Sequence, residues 1–198
     1  MSQTFLDGRI VVEQPEAGFR SGTDAVLLAA AVPAMAGQAA LELGAGSGAA
    51  GLCLLARVPG LALAGVEIDA ACAARARANA AANRMQARFV AGDIFDLPPD
   101  LRRDFDQVFA NPPFHDAGQQ SPDPARARAL SDEGALRQWL STGLQRTVSG
   151  GFFTTIIRAD RTPEALAALG QRGIHLLPLW PRSGMAAKRV IQLARKGS

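Results

Sequence analysis

A chain of 198 residues, 48% hydrophobic and 20% charged, is long enough to bury a sizeable core in one domain, and its composition excludes a disordered or collagen-like polymer. Its two cysteines, Cys53 and Cys72, lie in apolar or alanine-rich stretches whose spacing fits neither a disulfide framework nor a zinc site, and two histidines are too few for an evident metal centre. The net charge is only +3 and rests almost wholly on arginine, whose planar fork suits phosphate oxygens, although a coding bias toward arginine gives the same composition.

The opening MSQTFLDGRI lacks a basic segment followed by a long apolar run, and no window approaches ~18 uninterrupted apolar residues, so a cytoplasmic protein with one domain over 1–198 is expected. Gly22 to Val32 reads as the first helix, with Thr23 or Asp24 placed to cap it. From about residue 38, apolar runs alternate with helix-like stretches, the pattern of a parallel sheet with helices on both faces. The predicted strands are Ala39 to Leu43, Leu61 to Ile68, Arg88 to Ala91, Phe105 to Ala110 and Phe152 to Ile157, the last opened by Gly150-Gly151. Between them fall helices over Ala49 to Arg57, Ala70 to Asn83 and Ser131 to Val148. A shorter helix follows Thr162-Pro163, where threonine can cap and proline fits the first turn. Ile174 to Trp180 and Arg189 to Ala194 are strand-like with no helix between them, which predicts a terminal antiparallel hairpin.

The run LELGAGSGAAG from Leu41 follows a strand and opens a helix. Gly44, Gly46 and Gly48 let the backbone turn sharply and lie close to a ligand that the helix amides then face. GSGAAG also matches a dinucleotide fingerprint, with Glu67 about 20 residues on, so the loop alone is ambiguous. Two features favour S-adenosylmethionine over a nicotinamide cofactor. Glu42, two residues before Gly44, suits a free α-ammonium and would repel a pyrophosphate. Acids also close three successive strands, Glu42, Glu67 and Asp93, at the ends where open α/β sheets bind ligands. Ala45, Ile68 and Ile94 flank these positions, and Asp69 and Asp93 also suit the role of helix caps.

Asn111-Pro112-Pro113-Phe114 closes the fourth strand, beside the place where the glycine loop would put the cofactor's methyl group. An exocyclic adenine amine is a poor nucleophile because its lone pair is delocalised into the ring, so an enzyme must accept hydrogen bonds from its N–H groups and aim the lone pair. The Asn111 side-chain oxygen and the Pro112 carbonyl are suitable acceptors, held still by the prolines, and Phe114 offers a face for the base. Asn-Pro-Pro alone also serves as a tight strand exit.

Together these motifs resemble the adenine-N6 methyltransferases that modify the adenine beside the anticodon of a valine tRNA. The resemblance extends to QPEAGFRSGTDAVLLAA from Gln14 and to the ending LPLWPRSGMAAKRVIQLARKG, hence to nearly the whole chain. It implies a Rossmann-like class I methyltransferase fold: α/β, with a mostly parallel seven-stranded sheet, helices on both faces and a C-terminal antiparallel hairpin. It further implies that residues 1–37 form a lead-in covering the cofactor site, with Thr23 and Asp24 at the cofactor's methionine end, Glu67 on the ribose diol and Asp93 on the adenine amine. Members often carry an Ala-Arg-His-Glu-like stretch where this chain has Ala125 to Leu130 without the histidine and glutamate, which leaves the RNA target open. Arg126 and Arg128 on the polar stretch His115 to Leu130, with Lys188 and Arg189 on the hairpin, are the candidate phosphate contacts. His115, directly after Phe114, either contacts substrate or faces solvent.

The expected partner is RNA, with tRNA first, for a monomer or weak homodimer without metal or membrane. The same acceptor geometry would serve methylation of a protein glutamine, or of adenine in rRNA or DNA. A nicotinamide-dependent oxidoreductase would need a relay residue such as tyrosine, and the chain has none. A non-catalytic RNA-binding module would have no reason to keep Gly44, Gly46, Glu67, Asp93 and Asn111 together.

Overall fold

Both faces of the central strands are covered, which is why they read as apolar runs rather than as alternating ones. The computed structural model describes residues 1–16, 20–113, 132–170 and 173–197. In chain order the strands are β1 (Ser2–Phe5), β2 (Ile10–Glu13), β3 (Ala39–Leu43), β4 (Ala62–Glu67), β5 (Ala87–Ala91), β6 (Phe105–Ala110), β7 (Thr147–Arg158), β8 (Ile174–Leu179) and β9 (Arg189–Arg195). The helices are α1 (Thr23–Ala31), α2 (Ala49–Arg57), α3 (Ala70–Ala82), α4 (Asp132–Gln145) and α5 (Thr162–Leu169).

Seven strands form one sheet in the order β5-β4-β3-β6-β7-β9-β8, parallel from β5 to β7 and antiparallel across β9 and β8. Alternation along β3 sends Leu41 and Leu43 into a core shared with α4 and α5, while Ala40 faces the core built with α1, α2 and α3. The expected α/β architecture with its terminal hairpin is therefore present. Among the described residues, no helix is long and apolar enough to cross a membrane.

Three local expectations are corrected. The N-cap of α1 is Gly22, without a side-chain cap bond, and Thr23 is already helical and exposed. Likewise α5 starts at Thr162, again without a side-chain cap, although Pro163 sits in the first turn as expected. Gly150-Gly151 do not open β7: the strand starts at Thr147, and the pairing with β6 shifts register between Phe105 and Gln107. Gly150, at φ +80°, supplies the left-handed residue, and a Cβ on Gly151 would meet the Asp106 carbonyl at 2.6 Å. The early start of β7 also ends α4 at Gln145 instead of Val148.

The β1-β2 hairpin had no counterpart among the predicted elements. Two asparagines four residues apart, Asn79 on α3 and Asn83 at its C-cap, hold it in place. Asn83 accepts from Val11 N (2.9 Å) and donates to Val11 O (2.6 Å), and Asn79 does the same with Glu13 (2.9 and 3.0 Å). The second N–H of Asn79 reaches Ser47 O at 2.9 Å, so the hairpin is tied directly to the glycine loop.

Candidate active site

The loop after β3 is left-handed at alternate residues: φ is +68° at Gly44, +54° at Gly46 and +84° at Gly48, a path that residues with a Cβ rarely follow. Gly44 N and Ala45 N both donate to Val66 O, at 2.9 and 3.0 Å, and Gly48 caps α2. Ala45 is buried, whereas a Cβ on Gly46 would meet nothing within 4 Å, so the loop faces open space there. A Cβ on Gly44 would lie 2.5 Å from Cη2 of Trp139, because the indole of α4 lies against this turn. Phe95 meets that indole edge-on at 6.3 Å between centroids.

Glu67, at the end of β4, reaches across the loop. One carboxylate oxygen accepts from Gly46 N at 2.8 Å and the other from Asp69 N at 2.9 Å. Each oxygen keeps a lone pair for a further donor. Asp69 caps α3, accepting from Ala71 N and Cys72 N, as its position in sequence allowed. Asp93 closes a tight turn through Phe95 N at 2.9 Å instead of capping a helix. Beside these acids Ile68 is 57% exposed, an apolar surface at the ligand end of the sheet, while Ile94 is buried.

Glu42 occupies a different environment from the one its sequence position implied. Strand alternation turns it under α2, where it is 4% exposed and its Oε2 accepts from Gly51 N at 3.1 Å. Burial pushes its carboxyl up to about 8, against the lowering effect of the Gly51 bond, with the Glu67 charge adding to the rise. Burial thus favours the protonated form of this side chain, which weakens the charge invoked against a pyrophosphate. The Cys53 thiol is pushed up to about 11, first by burial and then by Glu42.

Asn111 directly follows β6. Because Leu43 pairs with Ala110, Asn111 comes level with Gly44 on the neighbouring strand. Its Oδ1 is buried and accepts no hydrogen bond among the described residues. Pro112 is buried and Pro113 exposed. Phe114, His115, Arg126 and Arg128 lie outside the described residues.

The other predicted contacts divide. Arg189 Nε bonds Asp24 Oδ2 at 2.9 Å, so these two residues join the terminal hairpin to α1. Lys188 is exposed at the adjoining turn. Arg57 strengthens the other end of α1 by donating to Ala29 O (3.2 Å) and Val32 O. Trp139 and Phe95 were not singled out from the sequence, since only the packing of α4 on the loop brings them there. A separate cleft lined by Leu61, Met85, Arg88, Asp100 and Arg103 opens at the amino ends of β4 and β5, away from Asn111. No cluster of potential metal ligands occurs among the described residues.

The open space at Gly46, the carboxylate fixed over it and the buried Asn111 oxygen, which accepts no bond among the described residues and comes level with Gly44, fit a ligand with donor groups at several points. The sequence matches the model of the methyltransferase small domain over residues 18–138. It is 32% identical over 180 residues to the tRNA1(Val) (adenine(37)-N6)-methyltransferase of Cronobacter sakazakii, covering 87% of this chain and 72% of that protein. Against the ribosomal RNA small subunit methyltransferase C of Salmonella newport it is 31% identical, covering 74% of this chain and 42% of that protein. The fold is shared with the T. thermophilus 16S rRNA N2 G1207 methyltransferase solved with AdoMet and guanosine, at TM-score 0.71 and 22% identity, over 99% of this chain and 50% of that one. This chain thus spans about half the length of some of the proteins it matches. It belongs to the methyltransferase small domain family and is an S-adenosylmethionine-dependent methyltransferase with that family's Rossmann-like fold.

Proposed function

We propose that the chain methylates the exocyclic amine of an adenine in RNA, with tRNA beside the anticodon as the target. The observation that carries this reading is the buried Asn111 Oδ1, which accepts no bond among the described residues and stands level with Gly44 of the cofactor loop. An unpaired buried acceptor costs about 1–3 kcal/mol, a cost that a substrate N–H would remove. The relatives named for adenine in tRNA supply the substrate class.

When bound, S-adenosylmethionine supplies an electrophilic methyl group. Asn111 Oδ1 and the Pro112 carbonyl accept from the target N–H groups and orient the lone pair, and the prolines limit the movement of both. Glu67 would take the ribose diol on its remaining lone pairs while holding Gly46, and Ile68 and Asp93 would receive the cofactor's adenine, Asp93 as acceptor for its amine. Glu67→Ala removes the acceptor of both Gly46 N and Asp69 N, and cofactor affinity is expected to fall about 10–100-fold by calorimetric titration with S-adenosylmethionine. The rate at saturating cofactor should change much less. Undiminished affinity would remove Glu67 from the cofactor site.

The reaction itself is tested by incubating the protein and labelled S-adenosylmethionine with bulk RNA from a strain lacking this gene, followed by nucleoside analysis. The expected product is N6-methyladenosine in the tRNA fraction. Cofactor binding with no label in any RNA would overturn the reading and direct the search to protein glutamine and DNA adenine.

A further inference from the structure

After Glu164 the sequence contains no acidic residue. Its last 34 residues hold six of the 21 Lys and Arg and none of the 18 Asp and Glu, so the preceding 164 carry a net charge of −3 and this segment +6. The segment includes β8, β9 and the turn 180–188 between them. Arg189 pairs with both Arg158 and Leu179, which places the turn at the carboxyl end of β7, the end at which Asn111 leaves the adjacent β6.

That turn exposes apolar surface beside cations. Trp180 is 60% exposed and Met185 47%, with Arg182 and Lys188 also exposed. The turn is held in shape. Lys188 N donates to Leu179 O at 3.1 Å, Met185 N to Arg182 O at 3.3 Å and Ala159 N to Lys188 O at 3.1 Å, while Arg189 is fastened to Asp24. An exposed indole on a pre-shaped, wholly basic turn at the ligand end of the sheet suits an unpaired base with phosphates on either side. A second copy of the chain would bring the same positive face against itself, and Pro178 removes an N–H from the edge of β8 that strand pairing would require.

We propose that Trp180 is a stacking platform for an unpaired base of the RNA substrate near the target nucleotide, with Arg182 and Lys188 on the flanking phosphates. The proposal rests on the RNA reading above and assigns Arg189 to fastening the platform rather than to phosphate.

The test uses the intact chain and unfractionated tRNA from a strain lacking the gene. Trp139 is the other of the two tryptophans, so in Trp139→Phe all indole emission comes from Trp180. Added tRNA is expected to quench that emission, and rising salt to restore it. Trp180→Ala should raise KM for tRNA about tenfold or more, with kcat and cofactor affinity held, because base–aromatic stacking is sequence-tolerant and substantial. Trp180→Phe should recover most of the loss. Methyl transfer to tRNA without quenching, and with KM unchanged in Trp180→Ala, would overturn the platform while leaving the RNA reading in place. An emission maximum that shifts with protein concentration in the absence of RNA would also overturn it, by identifying a self-association face. Wild-type protein that binds cofactor but labels no RNA would end both.

Discussion

Replacing Asn111 with alanine is expected to lower kcat for methyl transfer by about 10²–10³-fold, the usual effect of removing one preorganised polar group from a reacting centre. Cofactor affinity should stay within about threefold, because the loop amides and Glu67 are unchanged. The variant should also melt at the same temperature as the parent or higher. Asn111 Oδ1 accepts no bond among the described residues, so the substitution removes a buried unsatisfied acceptor rather than a native contact. Single-turnover methyl transfer, calorimetric cofactor titration and thermal melting together separate the possibilities. Equal loss of binding and transfer would mean that Asn111 acts through the cofactor and not on the amine.

The second large effect concerns pH. Glu42 has a folded-state pKa of about 8 against an ordinary value of 4.5, chiefly through burial. Between these values the unfolded chain is ionised and the folded chain protonated at this site, so folding takes up a proton and stability falls as pH rises. Below pH 4.5 the penalty is absent, and above about pH 8 it is complete. At about 1.4 kcal/mol per pKa unit, the rise from 4.5 to about 8 gives a full size on the order of 5 kcal/mol. Glu42→Gln keeps an oxygen for Gly51 N and cannot ionise. Urea unfolding of the ligand-free proteins at pH 5 and pH 9 should show a difference in favour of the variant that grows with pH. A difference independent of pH would mean that Glu42 ionises in the folded protein much as it does in the unfolded chain.

How far these features could be read in advance depended on the range of the interactions behind them. Gly44, Gly46 and Gly48 announce a left-handed loop because the backbone conformation is a property of the residues themselves, and Asn-Pro-Pro announces a strand end because proline cannot continue the ladder. Asp69 caps α3 through amides two and three residues away, which its position allowed. The β1-β2 hairpin had a local signal in Asp7-Gly8, but two four-residue strands carry too little pattern by themselves, and their anchors Asn79 and Asn83 lie 66 and 72 residues from their partners. Thr23 and Asp24 suggested a cap by their position, whereas Asp24 is engaged by an arginine 165 residues further along.

The sequence by itself determined the alternating α/β order, the glycine loop between β3 and α2, and the placement of Asn111 at the end of β6, because periodicity and backbone restriction act within a few residues. Only the tertiary structure decided that Glu42 lies buried beneath α2, that Trp139 closes on Gly44, that Asp24 holds Arg189, and that a basic turn bearing Trp180 stands at the ligand end of the sheet. Burial and ion pairing depend on which distant residues the folded sheet brings within contact, and desolvation follows from that contact rather than from residue type.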